Sequence, residues 1–172
     1  MKEMNRRTFL ALSGASVALL ALAACGSTPS TPVVPTTGKE AKVLEALNLY
    51  RKEKKLEPYQ MDEGLNGLAE EAAKFALGEI GVDQLYEKIG KMNEMIGGPY
   101  KNPRFPLGVT EKGELTMPYS EDIEVMKKAL LAADIDDSIE PPEVKLVGIK
   151  VFTAKDGKLY WVATGADSKK TA

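Results

Sequence analysis

The stretch "VKLVGIKVFTAKDGKLYWVATGA", residues 144–166, decides the fold class. Each of its halves places apolar side chains at every second position, as a β-strand requires. The alternating residues are Val147, Ile149 and Val151 in the first half and Leu159, Trp161 and Ala163 in the second. The intervening "KDG" is typical of a tight turn. The sequence therefore predicts a β-hairpin near the end of the chain.

The segments before the hairpin have helical spacing instead. Apolar residues recur every three or four positions in 40–54, which predicts a first amphipathic helix. Asp62 is suited to cap a second helix that carries Leu65, Leu68 and Phe75 on one stripe and ends near Gly78 or Gly81. These two helices are expected to bury their apolar stripes against the hairpin.

Two further helices are predicted between the second helix and the hairpin. The third runs from Asp83 to Ile96, where a Gly-Gly-Pro sequence stops it. The prolines that follow exclude a continuous helix, and a short ribbon turning at 112–113 is expected there. Ser120 is predicted to cap the fourth helix, in which Ile123, Met126, Leu130 and Ala133 face one side.

This order of elements predicts an α+β domain. Helices come first and paired strands last, so the helices are expected to cover a small antiparallel sheet. The domain is predicted over 40–166, followed by a tail at 167–172. Its size allows a core without disulfides, and the chain has one cysteine, Cys25, so no internal disulfide can form.

The first 24 residues have the layout of a cleaved secretory signal. Basic residues precede an apolar run from Phe9 to Ala24, which is short for a membrane span. The run ends in "LAAC", 22–25, which resembles a bacterial lipobox. Cys25 is therefore predicted to carry a diacylglyceryl group and to become the new amino terminus. The alternative is a plain signal peptide with a cysteine that is not modified.

The export route is read from the start of this signal. "NRRTFL", 5–10, resembles a twin-arginine signal through Arg6 and Arg7, with Phe9 and Leu10 following. Asn5 stands where Ser or Thr is usual. Ordinary Sec signals also begin with basic residues, so that route stays open. Twin-arginine export would carry the domain across the membrane already folded.

Residues 25–39 are predicted to form a tether. Their Ser, Thr, Pro and Gly content cannot bury enough apolar surface to offset the entropy of ordering. We therefore expect an extracytoplasmic domain that is held to a bacterial cell membrane by a lipid. The formal net charge of −2 and the lack of a basic patch give no reason to expect a nucleic-acid partner.

Both ends of the predicted domain resemble the bacterial CAP domain, which is named for cysteine-rich secretory proteins, antigen 5 and pathogenesis-related proteins. The positions that fit the family's first two helices and the loop between them are Asn48, Arg51, Leu56, Pro58, Asp62, Leu65, Ala69 and Ala72. The hairpin, with Val147, Gly148 and Ile149 opposite Tyr160, Trp161 and Val162, is similar to the family's closing strands. The resemblance covers about 60 residues and implies an α-β-α sandwich with a central cleft.

The chain departs from the family in its chemistry. Many CAP domains hold a divalent metal with two histidines and two acidic residues, and this chain has no histidine. No metal ligands, catalytic residues or cofactor are therefore predicted. "NEMIGG", 93–98, resembles the family's Gly-Glu-Asn-Ile element, which makes Glu94 the one candidate for a cleft carboxylate; the alternative is a solvated helix acid.

Two classes of function remain after these exclusions. Histidine-based nucleophilic catalysis is excluded, because no general-base histidine exists and the cysteine is assigned to the lipid. The first class is a non-catalytic binding or interaction module for a lipid, peptide, glycan or protein. The second is a metal-independent hydrolase of envelope polymers that works with carboxylates. The first is favoured, since the metal-binding histidines are missing while both ends of the scaffold are present.

Overall fold

The computed structural model describes residues 38–133 and 141–170 as four α-helices and five β-strands. The helices are α1 (Lys39–Glu53), α2 (Glu63–Ala76), α3 (Val82–Met92) and α4 (Ile123–Ala132). The strands are β1 (Gln60–Met61), β2 (Tyr100–Lys101), β3 (Leu146–Thr153), β4 (Leu159–Ala166) and β5 (Ser168–Lys169). The chain is therefore α+β, as the sequence predicts.

The predicted hairpin is confirmed. β3 and β4 pair antiparallel along their whole lengths, from Leu146 opposite Ala166 to Thr153 opposite Leu159. β1 adds a short parallel pairing to the start of β3, which gives the strand order β1-β3-β4. The outer edge of β4 is covered by the loop at 107–119, where Leu107 exchanges hydrogen bonds with Ala163. On the side of β1, no strand of the described residues pairs with β3 beyond Val147.

Helices pack on both faces of this sheet. α1 and α4 lie on the face that carries Val147, Ile149, Trp161 and Ala163. α2 and α3 lie on the opposite face, against Phe152, Val162 and Ala166. Side chains of the hairpin thus alternate between two hydrophobic clusters, one on each face of the sheet. Trp161 lies in the first cluster, and its neighbour Tyr160 packs against the second.

Three local predictions need correction. The third helix ends at Met92, because Asn93 is extended and starts a separate 3₁₀ turn, Glu94–Ile96. Asp122, and not Ser120, caps α4 by accepting from Glu124 N–H; the Ser120 hydroxyl accepts from Asp122 N–H instead. The predicted tail contains β5, which pairs with β2, so the folded region extends past residue 166.

Candidate functional site

Beyond its pairing with β1, β3 has backbone N–H groups that donate to side chains instead of to a neighbouring strand. β1 has two residues, and its pairing with β3 ends at Val147. Further along, Ile149 N–H donates to Asn66 Oδ1 over 2.9 Å, and Val151 N–H donates to Glu40 Oε1 over 3.3 Å. Unpaired backbone donors in a sheet edge invite pairing with other chains. Here α1 and α2 each supply an oxygen to one of these donors.

An open groove of about 450 Å³ lies along this edge. Its walls come from the first turn of α1 and from α2, and its floor comes from β3. The lining residues are Glu40, Glu63, Asn66, Gly67, Glu70, Ile149 and Lys150. Three carboxylates and one ammonium group give the groove a negative balance. Such a concave surface with few convergent polar groups suits a cationic ligand.

The sequence of α2 places one wall of this groove. Glu63, Asn66, Gly67 and Glu70 are spaced by three, one and three residues, so they share one helix face. The Asp62 carboxylate accepts from Gly64 N–H and Leu65 N–H and so fixes where the helix begins. Gly148 lets α2 approach β3 closely, since a Cβ there would overlap the Leu65 backbone.

Asp62 also joins α2 to the small β2–β5 sheet. It accepts a short hydrogen bond from the Tyr100 hydroxyl, and Lys169 Nζ lies 3.4 Å from its other oxygen. Burial acts to raise the pKa of the Asp62 carboxyl, but the hydrogen bonds from Tyr100 and Leu65 and the charge of Lys169 outweigh it and hold the pKa below its ordinary value. Burial and the bond to Asp62 raise the pKa of Tyr100. Both groups keep their usual protonation states at neutral pH.

The residues that carry the family resemblance in α1 have structural contacts. Asn48 Oδ1 accepts from Tyr59 N–H over 2.7 Å, and its Nδ2 lies 3.4 Å from the Tyr59 carbonyl. Arg51 is fully buried, its Nε donates to the Glu57 carbonyl, and its guanidinium lies 4.2 Å from the centre of the Tyr59 ring. These side chains hold the loop between α1 and β1 in the shape that delivers Asp62 to the start of α2.

Glu94 is the one site residue predicted from sequence that lies among the described residues. Arg6, Arg7 and Cys25 lie outside the described residues. Glu94 lies in the 3₁₀ turn after α3, is partly exposed, and does not line the groove. Sequence reasoning missed Glu40, Glu63, Asn66, Glu70 and Lys150 as lining residues. The shared polar face of α2 was the available signal for three of them.

Within 38–133 and 141–170, no group of three or more histidine, cysteine, aspartate or glutamate side chains is arranged to hold a metal ion. No helix in the same ranges is long and apolar enough to cross a membrane.

No protein-family model, curated protein or solved structure matches the chain.

Proposed function

We propose that this protein is a cell-envelope lipoprotein whose divergent CAP-like domain binds an extended, positively charged ligand in the groove beside β3. The observation that carries the proposal is the groove itself, in which three glutamates of α1 and α2 and Lys150 of β3 lie beside the part of β3 that β1 does not cover. A cationic peptide or an amine-bearing glycan strand is the class of ligand that complements this charge.

The compartment in this proposal rests on the amino-terminal sequence. An apolar run ending in "LAAC" supports lipidation of Cys25, and the Ser/Thr/Pro-rich residues after it support a tether. Arg6 and Arg7 support export by the twin-arginine route. The ligand would accordingly be a component of the envelope or of the medium outside the cell.

Binding is preferred to catalysis on the chemistry of the groove residues. The whole chain lacks histidine, the side chain that most often serves as a general base at neutral pH. One groove carboxylate, Glu40, accepts a backbone hydrogen bond from β3, which gives it a structural role. The alternative, a hydrolase of envelope polymers that uses carboxylates without a metal, is supported by the presence of three glutamates in one groove.

The binding proposal is tested with a defined cationic probe. A hexalysine peptide is titrated into the protein by calorimetry, with hexaglutamate as the charge control. The double variant Glu63→Gln with Glu70→Gln is expected to weaken hexalysine binding by about tenfold or more, since each lost charge pair removes roughly 1 kcal/mol. Glu94→Gln and Glu143→Gln remove carboxylates outside the groove and are expected to leave the affinity unchanged.

Equal affinity in all four proteins would contradict a site in the groove. Turnover of peptidoglycan fragments that is lost on Glu70→Gln or Glu94→Gln, or stoichiometric metal binding, would replace the binding module with an enzyme. The lipid is tested separately by labelling cells with radioactive fatty acid. Wild type is expected to take up label and Cys25→Ala to take up none; an unlabelled wild type would exclude the anchor.

A further inference from the structure

A second surface, unconnected with the groove residues, exposes apolar side chains to solvent. Met95 and Ile96, in the 3₁₀ turn after α3, are 84% and 70% exposed. The other large exposed apolar side chains of the described residues are 42% to 52% exposed. We call these two residues the apolar tip. Their exposure costs solvation free energy unless a partner covers them.

The backbone around the apolar tip is held in place. Asn93 Oδ1 accepts from Met95 N–H over 3.0 Å, and the Asn93 carbonyl accepts from Gly98 N–H over 2.8 Å. Gly97 has a φ of 93°, and a Cβ on Gly98 would overlap the Met92 backbone. The turn is therefore a tight, hydrogen-bonded structure that requires its two glycines and presents the tip outward.

Lysines of the β2–β5 sheet lie next to this turn. Asn93 forms a bridge with Tyr100, which stands beside Lys101 in β2. Lys170 N–H donates to the Pro99 carbonyl over 2.8 Å, so the end of β5 returns to the same place. Lys101 and Lys170 are exposed and form no ion pair with any residue of 38–133 or 141–170. Lys169 is shared with Asp62.

We propose that the apolar tip and these lysines dock the domain on the surface of an anionic lipid bilayer. Met and Ile side chains suit the boundary between head groups and acyl chains, and lysines beside them suit anionic head groups. Lys101 and Lys170 outnumber the one carboxylate of the turn, Glu94, and this positive balance favours an anionic membrane over a neutral protein surface. Docking through the apolar tip requires neither the lipid on Cys25 nor a ligand in the groove. It gives the domain a preferred orientation on the membrane.

A local probe tests this docking without depending on how the chain reaches the membrane. Cys25→Ser removes the chain's only thiol, and Met95→Cys in that background carries an environment-sensitive fluorophore, NBD. The matched control is Val125→Cys, an apolar residue of α4 that is 52% exposed. Vesicles are made from phosphatidylcholine alone or from two parts phosphatidylcholine to one part phosphatidylglycerol.

NBD at position 95 is expected to brighten several-fold with the anionic vesicles and to shift to shorter wavelength, while NBD at 125 stays unchanged. Each lysine near an anionic surface strengthens binding about fivefold. Adding Lys101→Gln with Lys170→Gln should therefore raise the anionic lipid concentration for half-maximal brightening by about tenfold or more. Lys52→Gln with Lys155→Gln, which removes two exposed lysines elsewhere, should leave it unchanged.

Three results would overturn the proposal. The first is no brightening at position 95 with anionic vesicles. The second is equal brightening at 95 and 125, which would indicate unspecific adsorption. The third is brightening that rises with protein concentration in the absence of vesicles, which would identify a second copy of the chain as the occupant of the tip.

Discussion

The Asn48 side chain forms hydrogen bonds with both backbone groups of Tyr59 in the loop after α1, as a neighbouring β-strand would. It offers an acceptor to Tyr59 N–H and a donor to the Tyr59 carbonyl, and Tyr59 is buried. Removing the amide would leave these backbone groups without their partner, which costs about 2 kcal/mol. Asn48→Ala is therefore expected to lower the free energy of unfolding by that amount, measured by urea denaturation with Trp161 fluorescence.

Two variants calibrate this expectation. Asn48→Asp keeps the acceptor but sets a partly buried carboxylate oxygen against the Tyr59 carbonyl, so it should cost at least as much as Asn48→Ala. Asn93→Ala removes an exposed bond to Met95 N–H and should cost less than about 1 kcal/mol. Equal losses for Asn48→Ala and Asn93→Ala would show that burial of the Tyr59 backbone does not decide the effect.

The bond between Tyr100 and Asp62 predicts a pH window of stability. The folded state lowers the pKa of Asp62 from 3.8, so its contribution is present above that value and is lost as pH falls through the lowered pKa. The folded state raises the pKa of Tyr100 from 10.0. The contribution of Tyr100 to stability is therefore complete below pH 10.0 and is lost as pH rises through the raised pKa. Acid weakens the acceptor, and alkali removes the donor proton.

Tyr100→Phe removes this bond and isolates its pH dependence. At neutral pH the variant is expected to be less stable than wild type by about 1 to 3 kcal/mol, since the Asp62 carboxylate loses a buried donor. The difference between the two proteins should shrink below the ordinary pKa of Asp62 and above that of Tyr100. Urea midpoints measured across the pH range test this, and a difference that is constant with pH would refute the assigned cause.

At the scale of elements, α2 and β3 approach so closely that one position on the strand must be glycine. A Cβ at Gly148 would overlap the backbone of Leu65, which cannot move without shifting the helix. Gly148→Ala is expected to cost about 3 kcal/mol or more, as overpacking against backbone does. The matched control is Gly67→Ala in α2, where a Cβ meets nothing.

The two alanine substitutions should change the free energy of unfolding in opposite directions. Gly67→Ala replaces a helix-interior glycine and is expected to stabilise the protein by about 0.5 to 1 kcal/mol. Thermal or urea midpoints of both variants make the comparison. A Gly148→Ala protein as stable as wild type would show that the helix and the strand can separate at no cost.

The long elements were predictable because they repeat their pattern. α1, α2 and the hairpin each carry several apolar residues at a fixed spacing, so their existence and faces follow from sequence. β1, β2 and β5 have two residues each, too few to alternate, and their pairing depends on distant chain segments. The predicted cap of α4, Ser120, is wrong because Ser120 and Asp122 are both good capping residues and only the fold selects between them.

The candidate site was less predictable than the fold. The groove joins Glu40 in α1, Glu70 in α2 and Lys150 in β3, which meet only after both helices have packed against the sheet. Sequence spacing relates residues within a helix and says nothing of which helix faces which strand edge. The sequence alone shows that the chain has no histidine, which excludes histidine-based catalysis. The positions of the carboxylates relative to one another follow only from the packed fold.

At the scale of the whole molecule, one hairpin forms the floor of two hydrophobic clusters. Leu47 of α1 is in the cluster that contains Trp161, and Leu68 of α2 is in the cluster on the opposite face. β3 and β4 contribute residues to both clusters. Because of this, disrupting one cluster destabilises the sheet against which the other cluster packs. The described domain is therefore expected to unfold in a single cooperative transition.

Leu47→Ala and Leu68→Ala test this coupling from opposite sides of the sheet. Each truncates a buried leucine and is expected to cost about 2 to 5 kcal/mol, whereas Leu131→Ala, at a position that is 42% exposed, should cost less than about 1 kcal/mol. Trp161 fluorescence reports one face directly, and far-ultraviolet circular dichroism reports helices on both faces. In Leu68→Ala the two signals should still change at the same urea concentration. The reason is that α2 cannot unfold without exposing the face of β4 against which it packs. If circular dichroism changed at a lower urea concentration than Trp161 fluorescence, the two faces would be separate folding units and the sheet would not couple them.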